Sequence, residues 1–212
     1  MPSIIRDKKL TIIISIFQVD KKNQTALINA EIINSQNIMR KKIGFVSANL
    51  HKSYDGLSVV NYSQWSTRKP YEEVINVRNS DNLQIGEKIF EIADQDSNIY
   101  ELVFSAGSVP TEISKNASLV TVVNKFSVEP KNQKILLKYL DDLRMVVEKL
   151  PGFISANVHK SIDGTRVVSY AQWKSKENYQ AVYTNLEAKY HLDDIKKISK
   201  FSWNFYEVVY TT

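Results

Sequence analysis

Cysteine is absent from the 212 residues, which excludes a disulfide framework, a cysteine zinc site and a thiol nucleophile, and suits a reducing compartment. Histidine is nearly absent: the three, at positions 51, 159 and 191, speak against metal ligation by two or more imidazoles. Glycine (6) and proline (5) are too few for a fibrous or low-complexity chain. No GxGxxG, GxxxxGK[ST], HExxH or GxSxG occurs, so the phosphate-cradling, zinc-protease and serine-hydrolase signatures are missing. Charge of one sign is not concentrated either. The 28 basic and 23 acidic residues are spread along the chain for a net +5, with only short runs such as Arg40-Lys41-Lys42 and Lys196-Lys197. A solvated surface is expected and a nucleic-acid partner is not. No apolar run is long enough to span a bilayer. The start, MPSIIRDKKLTIIISIFQV, has the charge-then-apolar order of a signal peptide. The same run aligns with the internal Leu119–Val128, so both are expected to be strands and the chain cytoplasmic, with no membrane partner.

With 43% hydrophobic and 24% charged residues the chain can bury a core. Its organisation is set by a repeat. GFVSANLHKSYDGLSVVNYSQW (44–65) lies over GFISANVHKSIDGTRVVSYAQW (152–173) with 15 identities in 22 positions, ungapped, at an offset of 108. The match extends to Phe17-x-Val19 over Phe126-x-Val128, Tyr71 over Tyr179, and YELVF (100–104) over YEVVY (206–210). A period this long means domain duplication rather than a solenoid. Two copies are expected, residues 1–108 and 109–212, joined in the polar stretch 105–118.

Each copy reads as strand, long helix, strand, Asp-Gly turn, strand, helix, strand. In copy two Leu136, Leu140, Leu143, Val147 and Leu150 recur at helical spacing after Pro130, a favoured first-turn residue, and the helix stops at Pro151-Gly152. Asp55-Gly56 and Asp163-Gly164 mark hairpins, and Ser175 stands where an N-cap belongs. Copy one has an additional turn signal, DQDSN (94–98), in its last strand region. The order βαββαβ makes the fold class α+β, with two ferredoxin-like repeats. Apolar residues such as Val46, Ala48, Leu50, Val60 and Tyr62 are expected on the sheet face that helices leave bare. Two such faces close against each other, giving an intramolecular pseudo-dimeric α+β barrel, a monomer with room for a further homodimer.

Side-chain alternation puts Asn61, Ser63 and Trp65 on one strand face and Val60, Tyr62 and Gln64 on the other. The first set is expected to point toward the helices, with Tyr71 leaning over it, and to line a pocket. Copy two offers Ser169, Ala171, Trp173 and Tyr179, a less polar set. His51 depends on the hairpin. A two-residue Asp55-Gly56 loop pairs it with Val60, away from Asn61, whereas a three-residue loop pairs it with Val59 on the face of Asn61. The three-residue loop is preferred here, and the same choice governs His159. Each residue also has a plain structural role: Trp at a strand end packs, and Tyr71 and Tyr179 can anchor the second helix. Asn61 fits such a role least, because a buried carboxamide needs partners.

The stretches NLHKSYDGLSVVNYSQWSTRKPY (49–71) and NVHKSIDGTRVVSYAQWKSKENY (157–179) resemble the antibiotic biosynthesis monooxygenase domain, most specifically in DG-x-x-VV-[NS]-Y-x-Q-W. The resemblance implies a dimeric ferredoxin-like barrel. For the quinone-forming members it implies oxygenation of a phenol, anthrone or hydroquinone by dioxygen with no cofactor and no metal. In that chemistry the substrate anion passes an electron to dioxygen, the radicals combine to a peroxide, and loss of water leaves the quinone. The implied catalytic set is Asn61, Trp65, Tyr71 and His51, with His51 as base. The implied second-copy binding set is His159, Ser169, Trp173 and Tyr179. With Ser169 in place of the amide, catalysis is expected in residues 1–108 and copy two is expected to be partly scaffold. The alternatives are a non-catalytic ligand-binding or interaction barrel and a haem-degrading oxygenase. The latter needs an axial histidine after the tryptophan strand, where Ser66–Asn79 and Ser175–Asn185 have none.

Overall fold

The computed structural model describes residues 2–5, 10–77, 89, 91–115 and 118–212; Arg6, Lys8 and Lys9, which precede the first long strand in the sequence, lie outside them. Copy one supplies β1 (Ser3–Ile4), β2 (Thr11–Val19), α1 (Gln24–Asn37), β3 (Phe45–Ser53), β4 (Ser58–Trp65), α2 (Arg68–Val77) and β5 (Ala93–Gly107). Copy two supplies β6 (Thr111–Glu112), β7 (Val120–Val128), α3 (Gln133–Val147), β8 (Phe153–Ser161), β9 (Arg166–Trp173), α4 (Lys176–Thr184), α5 (Leu186–Ile198) and β10 (Ser199–Thr211).

The long strands close into an eight-stranded antiparallel barrel of order β10-β3-β4-β2-β5-β8-β9-β7. Within each copy the order is ferredoxin-like. The copies are joined at two seams, β5 on β8 and β10 on β3. Closure removes the free sheet edges that would otherwise template aggregation. The TIIISIFQV sequence of β2 explains its role: Ile12, Ile14 and Ile16 enter the barrel while Ile13 and Phe17 face the helices, as period-two alternation of β-branched residues requires. Inside the barrel the isoleucines meet Val60, Tyr62 and Tyr100 of copy one and Val123, Val168, Tyr170 and Tyr206 of copy two. This shared core ties the copies together.

One barrel end is closed by a small ribbon, β1 paired with β6, whose Ile4 and Ile113 are fully buried in the shared core. Gln64 and Gln172, equivalent residues of the two copies, donate to the carbonyls of Ser3 and Glu112 and hold the ribbon with near two-fold symmetry. The seams carry matching side-chain bonds: Asn98 donates to Asp163, and Asn204 donates to Asp55.

Four details differ from the sequence expectations. Both hairpins run in the register of a two-residue Asp-Gly loop, pairing His51 with Val60 and His159 with Val168; the preferred three-residue loop is incorrect. Polar bonds fix this register. Gly56 takes a left-handed conformation at φ +84°, the Asp55 carboxylate accepts from Leu57 N, and Gln24 donates to the carbonyls of Ser53 and Ser58. In consequence Ala48 and Leu50 lie opposite Ser63 and Asn61 on the helix side, and the barrel side of β3 carries Asn49 and His51 instead of an apolar stripe. The DQDSN segment is not a turn, because Asp94–Asn98 continue β5 paired to β2. Copy two has two helices, α4 and α5, where one was expected. Ser175 caps the first, accepting from Asn178 N, and Asn185 caps the second, accepting from Ala188 N.

Gly107, at φ +73°, sits where β5 crosses β8, and a Cβ there would lie 2.2 Å from the Ile154 carbonyl oxygen. Gly107→Ala is expected to cost roughly 3 kcal/mol, left-handed strain and backbone collision together. Gly56→Ala, whose Cβ would meet only the flexible Lys21 side chain, should cost about 1 kcal/mol. Thermal unfolding of the two variants checks the difference, and equal midpoints would disprove it.

Candidate functional site

Each copy holds a pocket between its sheet and its helices. The copy-one pocket encloses about 530 Å³, open mouth included, and the copy-two pocket about 650 Å³. Asn61, Trp65 and Tyr71 come together in the first, and Ser169, Trp173 and Tyr179 in the second. The aromatic frame is the same in both. Trp65 stands edge-on to Phe45 at 5.4 Å and 5.7 Å from Tyr71, while Trp173 stands edge-on to Phe153 at 5.3 Å and 5.8 Å from Tyr179. The strand-end position of each tryptophan, next to the following helix, sets this frame. Both indole N–H groups are buried without a hydrogen-bond partner. A buried donor left unpaired costs about 1–3 kcal/mol, and each of these tryptophans lines its pocket.

The histidines are elsewhere. In the observed register His51 and His159 point into the barrel, where His51 Nε2 lies 3.0 Å from the Tyr170 hydroxyl and His159 Nε2 lies 3.1 Å from that of Tyr62. Both imidazoles are fully buried. Burial lowers each pKa to about 4, against weaker opposition from nearby backbone carbonyls. Tyr62 and Tyr170 are themselves pushed up by burial, so each hydroxyl stays protonated and shares its hydrogen bond with a neutral ring. The expectations that His51 acts as a base in the pocket and that His159 lines the second pocket are thereby corrected: one residue of register separates them from it.

The walls differ chemically. Copy one has Glu31, Asn34 and Ser35 on α1 and Gln95 and Ser97 on β5; copy two has Leu140, Leu143 and Arg144 on α3 and Phe201 on β10. Glu31 is 3% exposed, and Asn61 Nδ2 donates to its carboxylate at 2.8 Å. The carboxamides are also exchanged across the strand pair. In copy one Ser15 lies opposite Asn61; in copy two Asn124 lies opposite Ser169. Asn124 Oδ1 accepts from the Tyr179 hydroxyl at 2.6 Å. Burial, with Tyr183 adding to it, raises the Tyr179 pKa, so that donor is constant at neutral pH. Sequence reasoning missed Glu31 and Asn124. The available signal was an offset of 109 through β2 and α1, one more than in the hairpin, which places Glu31 over Leu140 and Ser15 over Asn124.

Among the described residues no three His, Cys, Asp or Glu side chains could together hold a metal ion, and no helix is long and apolar enough to cross a membrane.

Sheltered pockets between sheet and helices on a closed pair of ferredoxin-like sheets define the dimeric α+β barrel class. Residues 119–187 match the family model of antibiotic biosynthesis monooxygenases. Over 100 residues the chain is 35% identical to tetracenomycin-F1 monooxygenase of Streptomyces glaucescens, an alignment covering 47% of this chain and 89% of that protein. This chain belongs to the antibiotic biosynthesis monooxygenase family. The crystal structure of an anthrone oxidase-like protein superposes with a TM-score of 0.85 at 22% identity, covering 100% of this chain and 96% of that one. A candidate monooxygenase from Fusobacterium nucleatum superposes at 0.65 with 12% identity, covering 95% and 93%.

Proposed function

We propose that this chain is a cofactor-independent monooxygenase that oxidises a hydroxylated aromatic of the phenol, anthrone or hydroquinone type with dioxygen to a quinone, at the pocket of copy one. The observation that carries the reading is the buried, unpartnered Trp65 indole N–H in a pocket that also holds Asn61, Tyr71 and a buried carboxylate. The units of this reading are the two copies, residues 1–108 and 109–212, and the symmetric seams and ribbon support that division.

For an anthrone the overall change is CH2 plus O2 to C=O plus H2O. The protein's tasks are to take a proton, to hold the anion that results, and to keep out bulk water. Among the described residues Glu31 is the acidic side chain that lines the pocket, and it takes the proton; His51 has no part in it. Trp65 Nε1–H and the Asn61 amide donate to the oxygen on which charge develops. Fixed donors in a water-poor site favour that anion without reorganising. The anion itself is the reductant for dioxygen. The polar wall of Asn34, Ser35, Ser63 and Ser97 suits a substrate bearing several hydroxyls.

The experiment supplies a hydroxylated anthrone to purified protein under air and follows quinone absorbance together with oxygen uptake, expected at one O2 per quinone. Trp65→Phe keeps the ring and removes the donor, and kcat is expected to fall about 100-fold. No turnover above buffer would overturn the reading, and ligand binding without turnover would leave a non-catalytic binding barrel in its place.

A further inference from the structure

The geometry points to a second ligand site in copy two, for a flat polycyclic ketone or quinone, in which Asn124 supplies from β7 the carboxamide that copy one supplies from β4; the inference rests on the aromatic ligand class proposed above. Three observations converge. The amide is relocated, since Ser15 opposite Asn61 becomes Asn124 opposite Ser169 across equivalent strand pairs, and both residues of each pair line their pocket. The amide is also oriented. Its Oδ1 is held by the Tyr179 hydroxyl at 2.6 Å, which leaves Nδ2–H as the group offered to a ligand. The same pocket is lined by Trp173, whose indole N–H is buried and without a partner.

Besides these two N–H groups the pocket is lined by the Ser169 and Tyr183 hydroxyls and by Arg144, whose guanidinium is paired with Asp141 and Glu148, and no carboxylate is among its lining residues. Its walls are Phe104, Phe126, Leu140, Leu143 and Phe153. A largely apolar and aromatic slot with a few hydrogen-bond donors in its wall selects a flat ring system with hydrogen-bond acceptors on its edge. The copy-one pocket, with Glu31 and its hydroxyl and amide wall, selects a ligand that also donates. The two pockets thus divide one ligand class by polarity. Copy two is the member suited to the less hydroxylated, carbonyl-edged ligand, and without a carboxylate it binds rather than deprotonates. This reading takes copy two out of the role of scaffold.

The test titrates the intact chain with anthraquinone and with 1,8-dihydroxyanthraquinone, following tryptophan fluorescence and stoichiometry by calorimetry. The tighter anthraquinone site is expected in copy two. Asn124→Ser should weaken it roughly tenfold, and the double exchange Asn124→Ser with Ser169→Asn, which restores the arrangement of copy one, should recover most of that loss. Ala171→Phe, filling the slot, should abolish this site while leaving Asn61-dependent binding in copy one. Thermal unfolding of each variant separates lost binding from lost folding. Anthraquinone binding that is unchanged in both Asn124→Ser and Ala171→Phe while Asn61→Ala weakens it overturns the second site and leaves the proposed function standing. Binding of neither probe at either pocket overturns the ligand class itself.

Discussion

Lowering the pH from 7.5 to 5 is expected to remove about 4 kcal/mol of stability through two residues that the proposed chemistry does not use. His51 and His159 are buried in the barrel with pKa values lowered from 6.5 to about 4. Between those values the unfolded chain binds protons at both rings and the folded chain does not. The folded state therefore keeps its full stability above pH 6.5 and loses it as the pH falls toward 4. The titratable groups hydrogen-bonded to the two rings are Tyr170 and Tyr62, which stay neutral throughout, and among the described residues no carboxylate bonds either ring to hold an imidazolium in place. Urea unfolding at the two pH values checks this: a loss of that size moves the midpoint by about 1–2 M for a chain of this length. The double variant His51→Gln with His159→Gln keeps a hydrogen-bonding partner for each tyrosine, and its midpoint should hardly move between pH 7.5 and 5. An equal shift in wild type and variant would show that the loss arises elsewhere.

These histidines also mark where the sequence ceased to be readable. Hydrophobic alternation and the 108-residue offset are enough for the ferredoxin-like repeats and their closure into one barrel, because each rests on many residues acting together, but not for the second helix, α5, that copy two carries after α4. Register rests on one turn. Asp55-Gly56 is compatible with two loop lengths, and the bonds that select between them reach from Gln24 on α1, a contact that no local pattern encodes. A shift of one residue exchanges the faces of β3, so His51 went to the wrong side while Asn61, Trp65 and Tyr71, whose placement needed only alternation along β4 and the start of α2, were grouped together as the structure has them. Asn124 was hidden for a related reason. Its counterpart is Ser15, and a comparison confined to the strand of the motif reads the change at Ser169 as a loss when the amide has moved to the neighbouring strand. The two-residue β1 and β6 are too short to carry a periodic signal at all.

The largest loss of activity is expected at Glu31. On the proposed reading its carboxylate takes the substrate proton, and removing a positioned acid or base typically costs about 10²–10⁴-fold. Glu31→Gln changes one oxygen to an amide nitrogen, conserves volume, and leaves a carbonyl oxygen able to accept from Asn61 Nδ2, which now donates to the carboxylate at 2.8 Å. The pocket should keep its shape, so KM is expected to stay within a few-fold while kcat falls by at least 100-fold. A further readout follows from the chemistry. A substrate already ionised in solution needs no base, so the gap between wild type and Glu31→Gln should narrow as the pH is raised through the substrate's own pKa. A purely structural role for Glu31 would leave that gap constant with pH and would show as a lowered thermal midpoint. The physical basis of the contrast lies in the equivalent position of copy two, where Leu140 lines a pocket with the same aromatic frame and no carboxylate. The chain carries its own comparison: one frame, repeated, with a proton acceptor built into the wall of only the first copy.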